Sequence, residues 1–442
     1  MIDASPMLLM VIMFGSLMVL LLTGLPVVYA MGGIATILVF LVWGPFVAPY
    51  VLANTAFHQL SHYNLVAIPL FIFMALILRA SGIAEELFLS IRLWFQSVPG
   101  GLAMAVVAVS VVIAAMSGVV ATGIVVLGIV AVPLMLRLGY SKEMALGPVM
   151  AGACLAQLIP PSTGFVIYGS LAQVSIGSLF VGGIVPGLIL AGMFTLYIGI
   201  RCRLHPELGP PVPVEDRVGW KEKLYSAKGL VLPGLLIAAV LGSIFLGVAC
   251  ATEAAGIGAI GAMFCAVVRR NLTWSAVREA CVQTGKSTGM LIWVFFGAAC
   301  FKSVFVLSGG PHMVSNWVAD LTISPLLIVA MMQLIFLFMG CFIQEVVTQL
   351  IAMPVFLPAI DSFGLSRLWF GVLFLTNAQL SFITPPFGFA LFYMKSILPE
   401  DIKMSEIIRS VVPFMPLQLI GVILVMLFPE IALWLPRLMI GG

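Results

Sequence analysis

Charge is what this 442-residue sequence has least of: 8% of its residues are Asp, Glu, Lys or Arg, against 62% hydrophobic ones. A water-facing surface needs roughly a quarter of its residues charged, so a soluble fold is excluded. The small net charge of +3 gathers into no basic stripe, which excludes nucleic acid as a partner. The seven cysteines form no CxxC pair and mostly lie in apolar runs, so they read as small packing residues rather than as a disulfide or metal framework. No Lys or Arg precedes the first apolar run in "MIDASPMLLMVIMF"; a secretory signal opens on positive charge, so this stretch reads as a mature first membrane helix. No nucleophile–His–Asp set, phosphate loop or haem motif is present. Neither an enzyme nor an organic cofactor is expected.

What the chain has in abundance is apolar runs, with a mean hydropathy of +1.22. Met7–Leu22, Val27–Val42, Leu102–Met116, Gly187–Ile200, Leu230–Val248 and Pro416–Leu427 with their flanks approach the about 20 residues that cross a bilayer core. An all-α polytopic membrane protein follows, with the lipid bilayer as its solvent.

The runs recur. Pro385–Pro386 follows Pro160–Pro161 by 225 positions, and the same shift superposes Pro133 on Pro358, Gly139 on Gly364, Ser141 on Ser366 and Tyr168 on Tyr393. Ser81–Gly82 meets Ser308–Gly309 at 227, Gly32 and Ile34 meet Gly258 and Ile260 at 226, and Ser178 and Pro186 meet Ser405 and Pro413 at 227. A shift this steady indicates duplication. The expected units are 1–200 and 229–442, joined by a polar linker, 201–228. That linker carries Arg201, Arg203, Arg217, Lys221, Lys223 and Lys228, which the positive-inside rule assigns to the cytoplasm. An N-terminus on the opposite side then makes the repeats inverted, a pattern of secondary transporters. Two further polar segments, Arg269–Ser287 and Leu398–Pro413, read as interfacial amphipathic helices or as ordinary loops.

Each half is interrupted three times in the same order. "NLVAIPLFIFMALILRASGIAEELF" and "GMLIWVFFGAACFKSVFVLSGGPHMV" read as re-entrant hairpins with tips near Ile68–Pro69 and Phe296–Gly297. Next come "AAMSGVVATGIVVLG" and "LFMGCFIQEVVTQLIAMP", with small and polar residues mid-helix, and then the Pro–Pro segments "QLIPPSTGFVIYG" and "SFITPPFGFALFYM". Proline removes a backbone donor at a cost of about 3 kcal/mol in a helix interior. In hydrocarbon such breaks survive only beside protein or a polar cavity. A broken helix presents carbonyls to a cation such as Na⁺ at one stub and a positive dipole end to a carboxylate at the other.

At these residues the sequence resembles the large membrane subunit of the tripartite ATP-independent periplasmic (TRAP) transporters. "AIPLFIFMALILRASGIAEELF", "MSGVVATG", "LGY" with "LIPPS", "ATEAAGIGAIGA", "GCFIQEVVTQLIAMPVFLP" and "ITPPFGFALF" stand in the family's order over nearly the whole chain. The resemblance implies a bacterial inner-membrane, elevator-type transporter with a scaffold and a moving domain. It implies Na⁺ as the coupling ion and an organic acid delivered by a periplasmic substrate-binding protein. A small four-helix membrane subunit completes such a system. Ser117, Gly118 and the following turn, including Thr122, match the first broken helix. Gly340, Gln344, Glu345 and Thr348 match the second, where the family carries an acid. Val119 and Gly123 stand where the family has serine and aspartate, which leaves backbone carbonyls to serve at the first cation site.

Ionisable residues in a membrane segment are costly and point to function. Glu345 reads as a cation or substrate ligand or a hydrogen-bond anchor. Glu253, among small neighbours, reads rather as structural. Lys302 could meet a substrate carboxylate or snorkel to the interface. Pro69, Gly297, Pro160, Pro161, Ser162, Thr384, Pro385 and Pro386 are candidates for substrate binding or gating, and Asn377 and Gln379 lie just before the second proline pair. His58 and His62 have chelating spacing but no acidic or cysteine companion. A self-sufficient symporter and a membrane subunit of a redox complex remain the alternatives, the second lacking the His/Cys clusters that it needs.

Overall fold

In a computed structural model the described residues are 5–213, 215, 217–320 and 323–440. They are helical, without a strand among them. The first half comprises α1 (Pro6–Leu22), α2 (Val27–Leu60), α3 (Ala67–Ala80), α4 (Ile83–Phe95), α5 (Gly101–Ser117), α6 (Val120–Arg137), α7 (Lys142–Cys154), α8 (Thr163–Ala172) and α9 (Ile176–Leu204). After a short α10 (Trp220–Ser226) come α11 (Val231–Phe245), α12 (Ala251–Val268), α13 (Trp274–Leu307), α14 (Gly310–Asp320), α15 (Pro325–Gly340) and α16 (Glu345–Ser362). The chain closes with α17 (Arg367–Ile383), α18 (Phe389–Ile397), α19 (Met404–Val411), α20 (Phe414–Leu427) and α21 (Glu430–Ile440). Among the described residues eight helical segments are long and apolar enough to cross a bilayer, or nine if the bent α19–α20 pair is one span.

The outer surface is apolar, as lipid contact requires: Leu196, Leu235, Phe264 and Leu334 are each 62–66% exposed. Inside, Phe336 packs edge-on against Phe356 and Phe374, with centroids 5.2 and 4.6 Å apart. The connection between the halves is tied down rather than free. The Gly100 N–H donates to the Gly209 carbonyl at 2.8 Å and the Ser141 N–H to the Leu208 carbonyl at 3.0 Å. The Gln96 side chain brackets Val218 through both its amide groups. Trp220 and Tyr225 on α10 are exposed beneath Lys223 and Lys228, the aromatic and basic composition of a membrane–water interface.

Elements related by the sequence shift exchange contacts across the molecule. α2 packs against α13 while α3 packs against α12, and α6 meets α18 while α8 meets α16. Ser141 and Ser366 cap α7 and α17, each accepting from a backbone N–H at 3.3 Å. Beside them, Lys142 pairs with Glu406 at 2.8 Å, and Arg367 bridges Asp361 and the Ala172 carbonyl at the end of α8. Both Pro–Pro bonds are cis.

The proposed hairpin tips are corrected. Pro69 is the third residue of α3, in the first turn, where its missing N–H has no partner to lose. Gly297 lies inside the continuous α13, which also absorbs the segment expected to lie flat from Trp274 to Ser287. The chain turns instead at Ser81–Gly82 and Ser308–Gly309, where glycine takes φ of 73° and 77°. Gly297 is small for another reason: α2 crosses there, and an added Cβ would stand 2.8 Å from the Val28 carbonyl. Gly297→Leu is therefore expected to destabilise the α2–α13 crossing by about 1–3 kcal/mol. Thermal unfolding of the purified protein checks this; an unchanged Tm would reject the packing role.

Candidate substrate and cation site

Both central breaks form where the small and polar residues stand. α5 ends at Ser117; Gly118 is left-handed at φ 61° and Val119 extended before α6 begins at Val120. α15 ends at Gly340, and a non-helical turn runs to Gln344 before α16 starts at Glu345. Each break backs onto a proline-interrupted segment. A Cβ on Gly118 would collide with the Pro161 carbonyl, and one on Gly340 would stand 2.5 Å from the Ser381 hydroxyl oxygen. Only glycine allows the two irregular backbones to meet at the first contact.

Glu345 joins the halves. It is 8% exposed, and its carboxylate accepts from Gln157 Nε2 at 2.7 Å and from Gln349 Nε2 at 3.1 Å. Gln349 also lies 3.4 Å from the Gly164 carbonyl. Gln157 and Gly164 flank the first proline pair, so the acid of the second break is held by the loop of the first half. Ser162 fixes that loop by donating to the Gln157 carbonyl at 2.7 Å and capping α8 at the Phe165 N–H.

A cavity of about 100 Å³ opens here, lined by Gly118–Ala121, Gln157, Ser162–Gly164, Gln344–Val346, Phe382 and Tyr393. The N-terminal ends of α6, α8 and α16 converge on it. First-turn N–H groups without intrahelical partners and helix dipoles give such ends partial positive charge. The oxygens of the residues around it suit a hard cation: Glu345, Gln157, whose Oε1 has no hydrogen-bond partner, and the break carbonyls. The Thr348 hydroxyl lies 3.4 Å from one of these, the Gln344 carbonyl.

Of the sequence candidates, Gly118, Ser162, Gln344 and Glu345 line this cavity; Ser117, Pro161, Gly340 and Thr348 adjoin or support it. Thr122 is one residue beyond the lining, and Pro160 is buried behind the loop. Thr384 ends α17 by donating to the Leu380 carbonyl at 2.6 Å, and Pro386 is exposed, so the second proline pair lies nearer the surface than the first. Pro69, Gly297 and Lys302 are outside the lining; Lys302 sits half-buried on α13. The break glycines face Pro161 and Ser381, not these positions. Glu253 accepts from the Cys250 N–H at 2.8 Å, as a helix-capping residue. Asn377 donates to the Gln333 carbonyl at 2.7 Å, a structural contact. Gln157, Gly164 and Tyr393 were missed as site residues. Gln157 lies three positions before the proline pair, but an amide carries no titratable signal of its own.

Residues 14–431 match the family described as tripartite ATP-independent periplasmic transporter, DctM component. The chain belongs to the DctM family. It is thus a TRAP-transporter large permease subunit, a multi-pass protein of the bacterial inner membrane. A C4-dicarboxylate TRAP large permease from Pseudomonas aeruginosa is 30% identical, over 87% of this chain and 89% of that one. An isethionate TRAP permease, DctMQ, from Oleidesulfovibrio alaskensis is 28% identical over 96% of this chain and 66% of its own length. The YdaH transporter from Alcanivorax borkumensis has a similar fold at 17% identity, with a TM-score of 0.64 over 88% of this chain and 90% of that one.

Gly118→Ala should fold poorly, because it combines a left-handed φ with the Pro161 contact. The expected loss is at least about 1 kcal/mol from the backbone alone. Gly234→Ala, whose added Cβ would meet nothing within 4 Å, is the control and should leave the melting curve in place.

Proposed function

We propose that this subunit imports an organic acid by Na⁺ symport, with an elevator movement of the broken-helix region against the α2–α13 and α3–α12 scaffold. The observation that carries the reading is the meeting of two broken helices at one cavity, where three positive helix ends lie beside a carboxylate and the Gln157 amide. Na⁺ would be held by Glu345 and the carbonyls of the breaks after Ser117 and Gly340. The acid would lie against the N-terminal ends of α6 and α8 that line the cavity. Relatives named for C4-dicarboxylate and for isethionate support a small organic anion.

The partners proposed are a small four-helix membrane subunit and a periplasmic binding protein. Supporting the first, the longer DctMQ relative extends beyond the part that this chain covers. Uptake by proteoliposomes tests the assembly: this chain alone should give none, and Na⁺-driven uptake should need the small subunit and binding protein together. Full uptake by the lone chain would instead make it a self-sufficient symporter. In the complete system, Glu345→Gln should cut Na⁺-dependent uptake about tenfold or more, the worth of ~1.4 kcal/mol, with membrane abundance little changed. Equal losses of both would leave Glu345 as an anchor only.

The halves, 1–200 and 229–442, are proposed to be inverted about an axis in the membrane plane. Cysteines placed at Gly139 and Gly364 in a background lacking the native thiols should then label from opposite faces of the membrane; labelling from one face would refute inversion.

A further inference from the structure

Resting on that reading, we propose that Tyr393 is a specificity-determining residue, its phenol donating a hydrogen bond to an oxygen of the transported solute. Tyr168 and Tyr393 stand at positions related by the 225-residue shift, but their hydroxyls are used differently. Tyr168, on α8, is 0% exposed and donates to the Arg367 carbonyl at 2.7 Å, which ties α8 to the start of α17. Tyr393, on α18, lines the cavity between the breaks and is 37% exposed. Its backbone carbonyl accepts from the Ser396 hydroxyl at 2.8 Å, while its phenol has no partner among the described residues. One hydroxyl serves the fold; the other is available.

The packing of α18 decides which face meets the cavity. Phe389 and Tyr393 are four residues apart and share one face of the helix. Phe389 packs against Phe382 with ring centroids 5.7 Å apart, and Phe382 is itself a lining residue. The contact that holds α18 to the end of α17 therefore also brings Tyr393 to the cavity. The other aromatic residues after the second proline pair are phenylalanines, Phe387, Phe389 and Phe392, and Phe387 and Phe392 stack at 6.1 Å. Apolar contact alone would be met by a fourth phenylalanine. Tyrosine differs from it by one donor, to which a partly buried phenol normally gives a partner. Two other donors of the lining are already committed: Ser162 to the Gln157 carbonyl and Gln157 Nε2 to Glu345. The phenol is free for a solute that accepts, through a carboxylate, sulfonate or hydroxyl oxygen.

The test uses the full chain in nanodiscs with its co-purifying membrane subunit, and reads the thermal shifts given by succinate and by isethionate in Na⁺ buffer. Na⁺ alone is titrated in parallel. Tyr393→Phe is expected to raise the half-saturating concentration of the acid about fivefold, the worth of one hydrogen bond, with the Na⁺ titration and the solute-free melting temperature unchanged. Tyr168→Phe should do the reverse, lowering the solute-free melting temperature and leaving half-saturation in place. 3-Fluorotyrosine in place of Tyr393, a more acidic phenol and so a stronger donor, should tighten binding, which a packing role would not do. Half-saturation unaltered by both replacements of Tyr393 overturns the assignment and leaves the residue as an interfacial anchor, with the organic-acid reading intact. A wild-type shift with Na⁺ and with neither acid removes the organic-acid reading, and the assignment falls with it.

Discussion

In hydrocarbon a backbone N–H or C=O without a partner costs several kcal/mol, so a broken helix must meet another polar structure. The architecture follows from how this chain satisfies that demand. Its interruptions do not lie apart; they are stacked on one another. The left-handed Gly118 rests on the Pro161 carbonyl, Gly340 rests on Ser381, and Glu345 reaches across to Gln157. The irregular backbone of these four breaks is thereby gathered at one small polar centre, while the helices around it turn leucine and phenylalanine outward to the lipid. The polar centre is the structural solution to four breaks, and the same groups are the ones that can hold an ion and an anion.

The crossing pairs around this centre supply the frame. α2 with α13 and α3 with α12 use the small residues Gly32, Gly258 and Gly297 at their approaches, as helices do where no hydrophobic effect drives them together. Ion pairs stay toward the edges: Lys142 with Glu406 and Arg367 with Asp361 stand at the starts of α7 and α17. Half-exposed pairs like these add little stability. They tie the start of α7 to α19 and the start of α17 to the end of α16.

Much of this was legible in the sequence, for a physical reason. Breaks in a membrane helix need Gly, Pro or small polar residues, and those residues are rare enough in apolar runs to be read directly. Hence Ser117–Gly118 and Gly340–Glu345 fell at true interruptions, while Ser81–Gly82 and Ser308–Gly309, read only as matching positions of the shift, proved to be the turns. The hairpin tips were misplaced because a glycine or proline has more than one use. Pro69 is harmless in a first helical turn, and Gly297 serves a helix crossing. Pairing was not legible at all: nothing local to Glu345 says that its partner is Gln157, 188 positions away. Local pattern reports the element; only packing reports the neighbour.

The shift that relates the halves also shows where they diverge. A displacement of 225 brings Glu345 onto Val120, Gln157 onto Phe382, Gln349 onto Ile124, and Ser162 onto Phe387. Glu345, Val120, Gln157 and Phe382 all line the same cavity. Corresponding positions from the two halves thus face each other there, one polar and its counterpart apolar. A perfect duplicate would present two carboxylates across about 100 Å³, and their repulsion in a poorly hydrated space would raise the cost of keeping both charged. Replacing one member of each pair with valine or phenylalanine leaves a single charge with its hydrogen-bond donors. It also gives that charge an apolar wall, which strengthens its field toward whatever enters. The converging breaks build the pocket, and the unlike residues at positions 225 apart set its electrostatics.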